Sequence, residues 1–523
     1  MLFHSTSIGA TVIGLIASLD FVSAIQEPSN VTTITAPNGA TIRYQEPGKE
    51  GICETTPGVN SYSGFIDTSP TIHTFFWFFE SRNDPENDPI TVWINGGPGS
   101  DSLVGVFTGF GPCSINDEGA TEINPLSWNN VSNVLYLSQP VGTGFSYADL
   151  EEGSLDEYTG QFLGADLANA TGVWPVINET TVIDTSEDAA VAAWDIVQAF
   201  YSALPTLNPK IKSKEFHLWT VSYGGHYAPA IMKHLKDQNA EVAAGNINGT
   251  HLDLKSLGLG NAYIDAAIQA PFFPSFATNN TYNITAYNAS VHAAASFALA
   301  APTTGCLAQT ESCRALQALY PRNPTRDAVC AEAWHQCFDN VEGAYRSVSG
   351  RDRFDIRLKE ADSEFVAAEA VVAAYLNVGA VQDAIGVQSN YTPEATAVTY
   401  AFFQSGDGVL AGFKEAVEEL VEDGVSVLVF SGDADYACNW RGGEAVSLAV
   451  NYTGAEDFAA TEYVPFVVDG EEYGQARQNG NFAFLKVYDA GHMVQTYQPR
   501  AMLEFFNRTI HGLDVATGQE DVL

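Results

Sequence analysis

Thr220-Val221-Ser222-Tyr223-Gly224-Gly225 is the stretch on which the fold turns. It closes the apolar run Phe216–Val221 and leads into a helical pattern over Tyr227–Leu235, so Ser222 stands at a strand-to-helix turn. Small residues after the serine permit a sharp turn that exposes its hydroxyl with a helix N-terminus behind it. The usual pattern is Gly-x-Ser-x-Gly. Here Thr220 replaces the first glycine, and an ordinary Gly-rich turn also accounts for the stretch taken alone.

The surrounding pattern gives that turn its context. Ser61–Phe65 and Phe75–Glu80 read as a hairpin, and buried strands are expected at Thr91–Ile94, Val134–Leu137, Leu254–Leu259, Val425–Phe430 and Phe482–Val487. Helical patterns over Glu187–Tyr201 and Phe413–Val421 lie between them. Strands alternating with helices imply a mostly parallel sheet with helices on both faces. The rhythm breaks from about 265 to 389, which reads as a cap inserted into a single α/β domain spanning 25–523.

Candidate chemistry clusters after the strands. Asn95-Gly96-Gly97-Pro98-Gly99 follows Thr91–Ile94, where the backbone N–H of Gly97 could join that of Tyr223 in an oxyanion hole. A base is needed for Ser222. His226 is on the turn's own helix, and His511 looks like a helix C-terminal residue. His492, in Ala490-Gly491-His492-Met493, follows the last apolar strand on a Gly-containing loop. The orienting acid should fall between Ser and His, and Gly432-Asp433-Ala434-Asp435 offers two candidates. Ser, then Asp, then His, each on a loop after a strand, is far more specific than any one motif.

Composition limits what else the chain can be. Its 523 residues carry 63 Asp and Glu against 23 Lys and Arg, a formal charge of −40. Such a surface repels phosphate backbones and anionic lipid heads, so neither nucleic acid nor a membrane is expected as a partner. Ile8–Ile16 followed by Val22-Ser23-Ala24 resembles a secretory signal ending at residue 24, although its first residues offer no Lys or Arg. Glycosylation acceptors at Asn30, Asn130, Asn169, Asn178, Asn248, Asn279, Asn283, Asn288, Asn390, Asn451 and Asn507 fit a secreted, extracellular glycoprotein.

Export permits disulfides. Cys306 and Cys313 are two helical turns apart, as are Cys330 and Cys337, so Cys306–Cys337 and Cys313–Cys330 could staple two antiparallel helices. Four cysteines allow three connectivities, and this nesting is a preference among them. Cys53 and Cys113 then pair by elimination, leaving Cys438 free. No His-x-x-x-His or Cys-x-x-Cys pair marks a metal site, and no Gly-rich loop has nucleotide-binding spacing, so neither metal nor cofactor is expected.

The residues resemble the serine carboxypeptidase family, in particular its fungal carboxypeptidase S1-like branch, from about Cys53 to Gly512. Beyond the motifs above, the resemblance rests on Gln139-Pro140-Val141-Gly142-Thr143-Gly144-Phe145-Ser146-Tyr147, Ser222-Tyr223-Gly224-Gly225-His226-Tyr227, Phe354-Asp355-Ile356-Arg357, Tyr375-Leu376-Asn377 and Val381-Gln382-Asp383-Ala384-Ile385-Gly386. It implies an α/β-hydrolase fold with a disulfide-stapled helical cap, a catalytic trio of Ser222, Asp435 and His492, and peptide or protein C-termini as substrate. It also implies that Asn95 and the Gly96 N–H bind substrate, and that Cys438 and Met493 line the pocket for its last residue.

Two departures matter. The family reads the free C-terminal carboxylate with the Asn of the NGGPG loop and two Glu side chains, and those two positions are Gly109 and Val221 here. Ser100 also replaces the usual cysteine after that loop, which fits the S1-like branch. Three readings follow: a secreted serine carboxypeptidase, an esterase or acyltransferase using the same trio, and a non-catalytic binding glycoprotein on a hydrolase fold.

Overall fold

The computed structural model describes residues 31–155, 162–164, 172–178 and 180–519. The expected signal segment and the acceptors Asn30 and Asn169 lie outside these residues.

Twelve strands form the central sheet: β1 Thr32–Thr35, β2 Thr41–Gln45, β3 Ser61–Ser69, β4 Ile72–Phe79, β5 Ile90–Ile94, β6 Asn133–Leu137, β7 Glu215–Val221, β8 Asp253–Gly260, β9 Ser426–Gly432, β10 Val464–Val468, β11 Glu471–Asn479 and β12 Phe482–Val487. Their spatial order is β1-β2-β3-β4-β6-β5-β7-β8-β9-β12-β11-β10. The middle six, from β6 to β12, are mutually parallel. Antiparallel pairs extend the sheet at both ends.

Side-chain alternation along each strand divides the core in two. Phe76, Phe78, Val92, Ile94 and Leu218 face one buried cluster, whereas Phe75, Trp77, Phe79, Trp93 and Trp219 face the other. Helices α1 Ser186–Leu207, α2 Gly224–Ala243 and α7 Phe413–Glu422 cover the first face, and α8 Pro499–Ile510 covers the second. There Trp128 and Phe506 stack at 3.9 Å between ring centroids. Helix α1 starts where the Thr185 hydroxyl accepts the Asp188 N–H at 3.2 Å, with Glu187 and Asp188 in its first turn.

Between β8 and β9 the chain is helical. Helices α3 Cys306–Leu319 and α4 Pro324–Cys337 are bonded through Cys306–Cys337 and Cys313–Cys330. Helices α5 Glu364–Leu376 and α6 Thr396–Ser405 complete the roof over the sheet's C-terminal edge. Cys53 is bonded to Cys113, and Cys438 is a buried free thiol. Of the described acceptors, Asn178, Asn248, Asn279, Asn283, Asn288 and Asn451 are exposed, and Asn130, Asn390 and Asn507 are half-buried. No single helix among the described residues is long and apolar enough to cross a membrane.

Candidate active site

Four parallel strands end at the site. The chain leaves β5 into Asn95-Gly96-Gly97-Pro98-Gly99, β7 into Ser222, β9 into Asp433-Ala434-Asp435 and β12 into the loop bearing His492. Ser222 has φ +63°, a conformation that costs a non-glycine residue roughly 1–3 kcal/mol and persists only where its surroundings impose it. Here they do: the Ser222 N–H donates to the Gly260 carbonyl at 3.0 Å, and the Ser222 carbonyl accepts from Tyr263 N–H at 2.8 Å. Ser222 is the one residue from Phe216 to Pro229 that is not buried.

The local sequence fits this turn closely. The Thr220 hydroxyl donates to the Ile94 carbonyl at 2.7 Å, tying β7 to β5. A Cβ on Gly224 would fall 1.6 Å from that hydroxyl oxygen, so the second glycine leaves the room that Thr220 fills. A Cβ on Gly96 would fall 2.4 Å from the Tyr223 nitrogen. The NGGPG backbone therefore lies directly against the turn, and Gly97 and Tyr223 both line the cavity in front of Ser222.

His492 and Asp435 are both buried, with Nδ1 2.7 Å from Oδ2. An ionised carboxylate only accepts, so this contact places the imidazole proton on Nδ1 and leaves Nε2 free to accept. Two further donors hold the same Asp435 oxygen, Asn261 Nδ2 at 2.8 Å and the Cys438 N–H at 3.1 Å. Asn261 is fixed in turn by accepting the Gly432 N–H at 3.1 Å through Oδ1. The rings of Phe354 and His492 lie 5.0 Å apart.

The competing candidates lie elsewhere. Asp433 accepts from the Tyr282 hydroxyl, and burial pushes its carboxyl up to about 6. His226 is fully buried with Nδ1 2.6 Å from the Tyr263 carbonyl, and desolvation lowers it to about 3. His511 is exposed and contacts Asn507 of its own helix.

Ser222 and His492 open on one cavity of about 350 Å³. Asn95 lines it, and its Oδ1 accepts the Trp93 indole N–H at 2.8 Å, which orients the amide NH₂ as a donor. Cys438 lines it too, with its thiol pushed well above the ordinary value by burial and by the neighbouring Asp435. Asp435, Cys438 and His492 present their ligand-type atoms within 4.8 Å of one another, a grouping made of the same side chains.

Met493 lies beside that cavity rather than in its lining. It is buried in a small separate pocket behind His492, with Val104, Thr108 and Phe365. There the Gln495 Nε2 donates to the Met493 sulfur at 3.4 Å. Gly109 is pressed against the same residue: a Cβ there would fall 1.8 Å from the Gln495 carbonyl oxygen. Val221 lines the cavity as an apolar side chain. Neither position offers a carboxyl group.

Sequence reasoning missed four residues. Asn261 braces Asp435, and Arg353, Glu369 and Glu394 line the cavity. The last three come from separate segments with no characteristic spacing, so no motif marks them. Asn261, directly after β8, could have been sought as a residue at the C-terminal end of a parallel strand.

Comparison with known proteins agrees with this architecture. The serine carboxypeptidase family model matches residues 47–512. The chain is 39% identical to carboxypeptidase S1 homolog B of Arthroderma otae over 529 residues, covering 94% of this chain and 79% of that protein. It is 35% identical to carboxypeptidase S1 of Penicillium janthinellum over 461 residues, covering 88% and 97% respectively. Kex1(delta)p, a prohormone-processing carboxypeptidase from Saccharomyces cerevisiae, superposes with a TM-score of 0.67 at 20% identity, over 91% of this chain and 96% of that one. The fold is thus the α/β-hydrolase fold, and with the family match extending across nearly the whole described sheet and its helical roof, the chain belongs to the serine carboxypeptidase family.

Proposed function

We propose that the protein is a secreted serine carboxypeptidase that removes C-terminal residues through an acyl-enzyme. The observation that carries this reading is the buried Asp435–His492 contact at 2.7 Å in the wall of the cavity that exposes Ser222. Ser222 Oγ attacks the scissile carbonyl while His492 Nε2 takes its proton. The N–H groups of Gly97 and Tyr223 receive the oxyanion, and a preorganised donor of this kind is worth roughly 3–4 kcal/mol in the transition state. His492 then protonates the leaving amine. A water molecule, deprotonated by the same imidazole, hydrolyses the acyl-enzyme and frees Ser222.

Asp435 keeps the imidazole in the productive tautomer and stabilises its protonated form. Asn95 and the Gly96 N–H bind the substrate, with Cys438 and Met493 as the residues of the pocket for its last side chain, Met493 acting from behind His492. Export is supported by the apolar leader ending at Ala24, the glycosylation acceptors and three disulfides, which belong to an oxidising compartment.

A second reading has a specific observation in its favour. Gly109 and Val221 give the cavity no carboxyl, so the same trio could serve an ester donor that carries no free carboxylate. An N-blocked dipeptide, its C-terminal amide and its methyl ester, assayed from pH 4 to 8, separate the two. Release of the last residue from the free acid supports the carboxypeptidase. Cleavage of the ester or amide with little action on the free acid replaces it with the esterase or acyltransferase.

A further inference from the structure

The cavity contains an acid pair that the catalytic trio does not use. Glu369 on α5 and Glu394, just ahead of α6, meet carboxyl to carboxyl at its wall. Glu369 is 8% exposed, and its Oε1 is buried with no hydrogen-bond partner. Glu394 is exposed where it lines the cavity, and it is anchored beside the NGGPG loop: residues Ser100 and Glu394 form a β-bridge, and Ala395 N–H donates to the Gly99 carbonyl at 2.8 Å. Arg353 lines the same cavity, its guanidinium 4.5 Å from the Phe354 ring and 3.4 Å from Glu342.

We propose that Glu369 and Glu394, with Arg353 as counter-charge, form the seat for the substrate's free terminal carboxylate. This rests on the carboxypeptidase reading above and supplies the recognition element that Gly109 and Val221 lack. The chemistry follows from counting protons. With both acids protonated, one O–H closes the pair and the other can be donated to an incoming carboxylate. With a single proton the pair closes on itself and carries one negative charge, which repels that carboxylate. A cationic side chain would instead need the ionised pair, and the surroundings oppose ionisation.

Burial and Glu394 push Glu369 up to about 9, and burial also raises Glu394. Around Glu394 stand Ser100 and Asp101 from the NGGPG side, Arg353 from the loop before Phe354, Tyr391 from its own segment and Tyr227 from α2. Glu369 faces Glu394, Arg353 and Tyr391. Arg353 is the one cation among them, and Glu342 shares it. Loss of the donated proton as pH rises therefore removes the O–H that the seat offers to the incoming carboxylate and leaves a negative charge facing it.

The test is a calorimetric titration of the full chain carrying Ser222→Ala, so that binding is read without turnover. The probes are an N-blocked dipeptide with a neutral last residue, its C-terminal amide, and a dipeptide ending in lysine. Expected for this protein is free-acid binding on the order of tenfold weaker at pH 7.5 than at pH 4.5, with the amide unchanged. In the Glu369→Gln/Glu394→Gln variant, which cannot ionise, that pH dependence should disappear. Glu394→Gln alone should also flatten it, which covers failure of the double variant to fold. An unaltered pH dependence in a folded variant overturns the proposal. So does a loss confined to the lysine-ending dipeptide, which would assign the pair to a basic side chain. Failure of the catalytic reading would show separately, as absence of turnover in the unmutated protein whatever these titrations give.

Discussion

The Tyr223 hydroxyl donates to Asp407 Oδ2 at 2.6 Å, and that one buried bond ties the proposed oxyanion donor to the N-terminus of a distant helix. Asp407 also accepts the Ser186 hydroxyl at 2.6 Å and the Ser186 N–H at 3.0 Å, so α1 and the Ser222 turn share one carboxylate. The Tyr223 ring stacks between His226 at 4.8 Å and Trp334 at 5.6 Å. The backbone N–H of Tyr223 is thus positioned from its side chain.

Tyr223→Phe breaks that tie without emptying the space. A hydrogen bond to a charged acceptor is worth roughly 1.5–3 kcal/mol, and part of that loss should fall on the transition state. The expected result is kcat lower by about tenfold with KM nearly unchanged. Steady-state kinetics on one dipeptide decide it; a change in KM alone would place Tyr223 in substrate binding instead.

Asp435→Asn should leave the fold intact and lower kcat on the order of 10⁴-fold, because the amide can donate to Nδ1 and favour the wrong tautomer. Asn261→Ala removes one of three donors to Asp435 Oδ2 and should cost much less, about tenfold. The ratio of the two effects, from kcat measured at one pH, tests whether Asn261 acts through Asp435.

Stability should fall as pH rises from 4 to 7. Burial raises Asp101, Asp407 and Asp433 to about 6. Between their ordinary values and about 6 the folded chain holds these protons while the unfolded chain has released them, so each favours folding at low pH and that benefit is lost over this window. The slope is about −1.4 kcal/mol per pH unit for each such group. The formal charge of −40 adds self-repulsion in the same direction. Three groups act oppositely: although burial raises Asp67, hydrogen bonds from His73 and Arg43 bring it below its usual value, and burial lowers His217 and His226 to about 3, so each of them favours folding as pH rises and offsets part of the slope below about 6.5. Urea midpoints at pH 4, 5, 6 and 7 should decrease in that order.

Cys313→Ser/Cys330→Ser opens a bridge spanning 17 residues. A loop of that size contributes about 3 kcal/mol by restricting the unfolded chain, so the melting temperature should drop by several degrees. Because α4 lends Trp334 and Cys337 to the cavity wall, KM should rise in the same variant.

The parallel centre of the sheet was legible because strands buried on both faces read as unbroken apolar runs. Phe482–Val487 matches β12 residue for residue, and β5, β6, β7, β8 and β9 differ from the expectation by one or two residues at an end. Thr32–Thr35, Thr41–Gln45, Val464–Val468 and Glu471–Asn479 escaped notice. These flanking antiparallel strands are partly exposed and carry polar residues such as Thr32, Arg43, Glu471 and Gln475.

The candidate site divides the same way. Ser222 and His492 could be located because each follows a readable strand, whereas the strand end left Asp433 and Asp435 both open and only the family resemblance pointed to Asp435, whose contact with His492 the structure shows. Glu369 and Glu394 were not legible, since 24 intervening positions separate them and only the fold, with Glu394 bridged to Ser100 and α5 set over the same cavity, brings them together. No local pattern announces the contact between Gln495 Nε2 and the Met493 sulfur at 3.4 Å.

The most direct test of the account is intact-protein and peptide mass spectrometry after exposure to a fluorophosphonate, on the unmutated protein and on Ser222→Ala. One adduct per chain is expected, carried by the peptide containing Ser222, and none in the variant. A folded unmutated protein that takes no label, or a Ser222→Ala protein that labels and hydrolyses peptides as before, would contradict it.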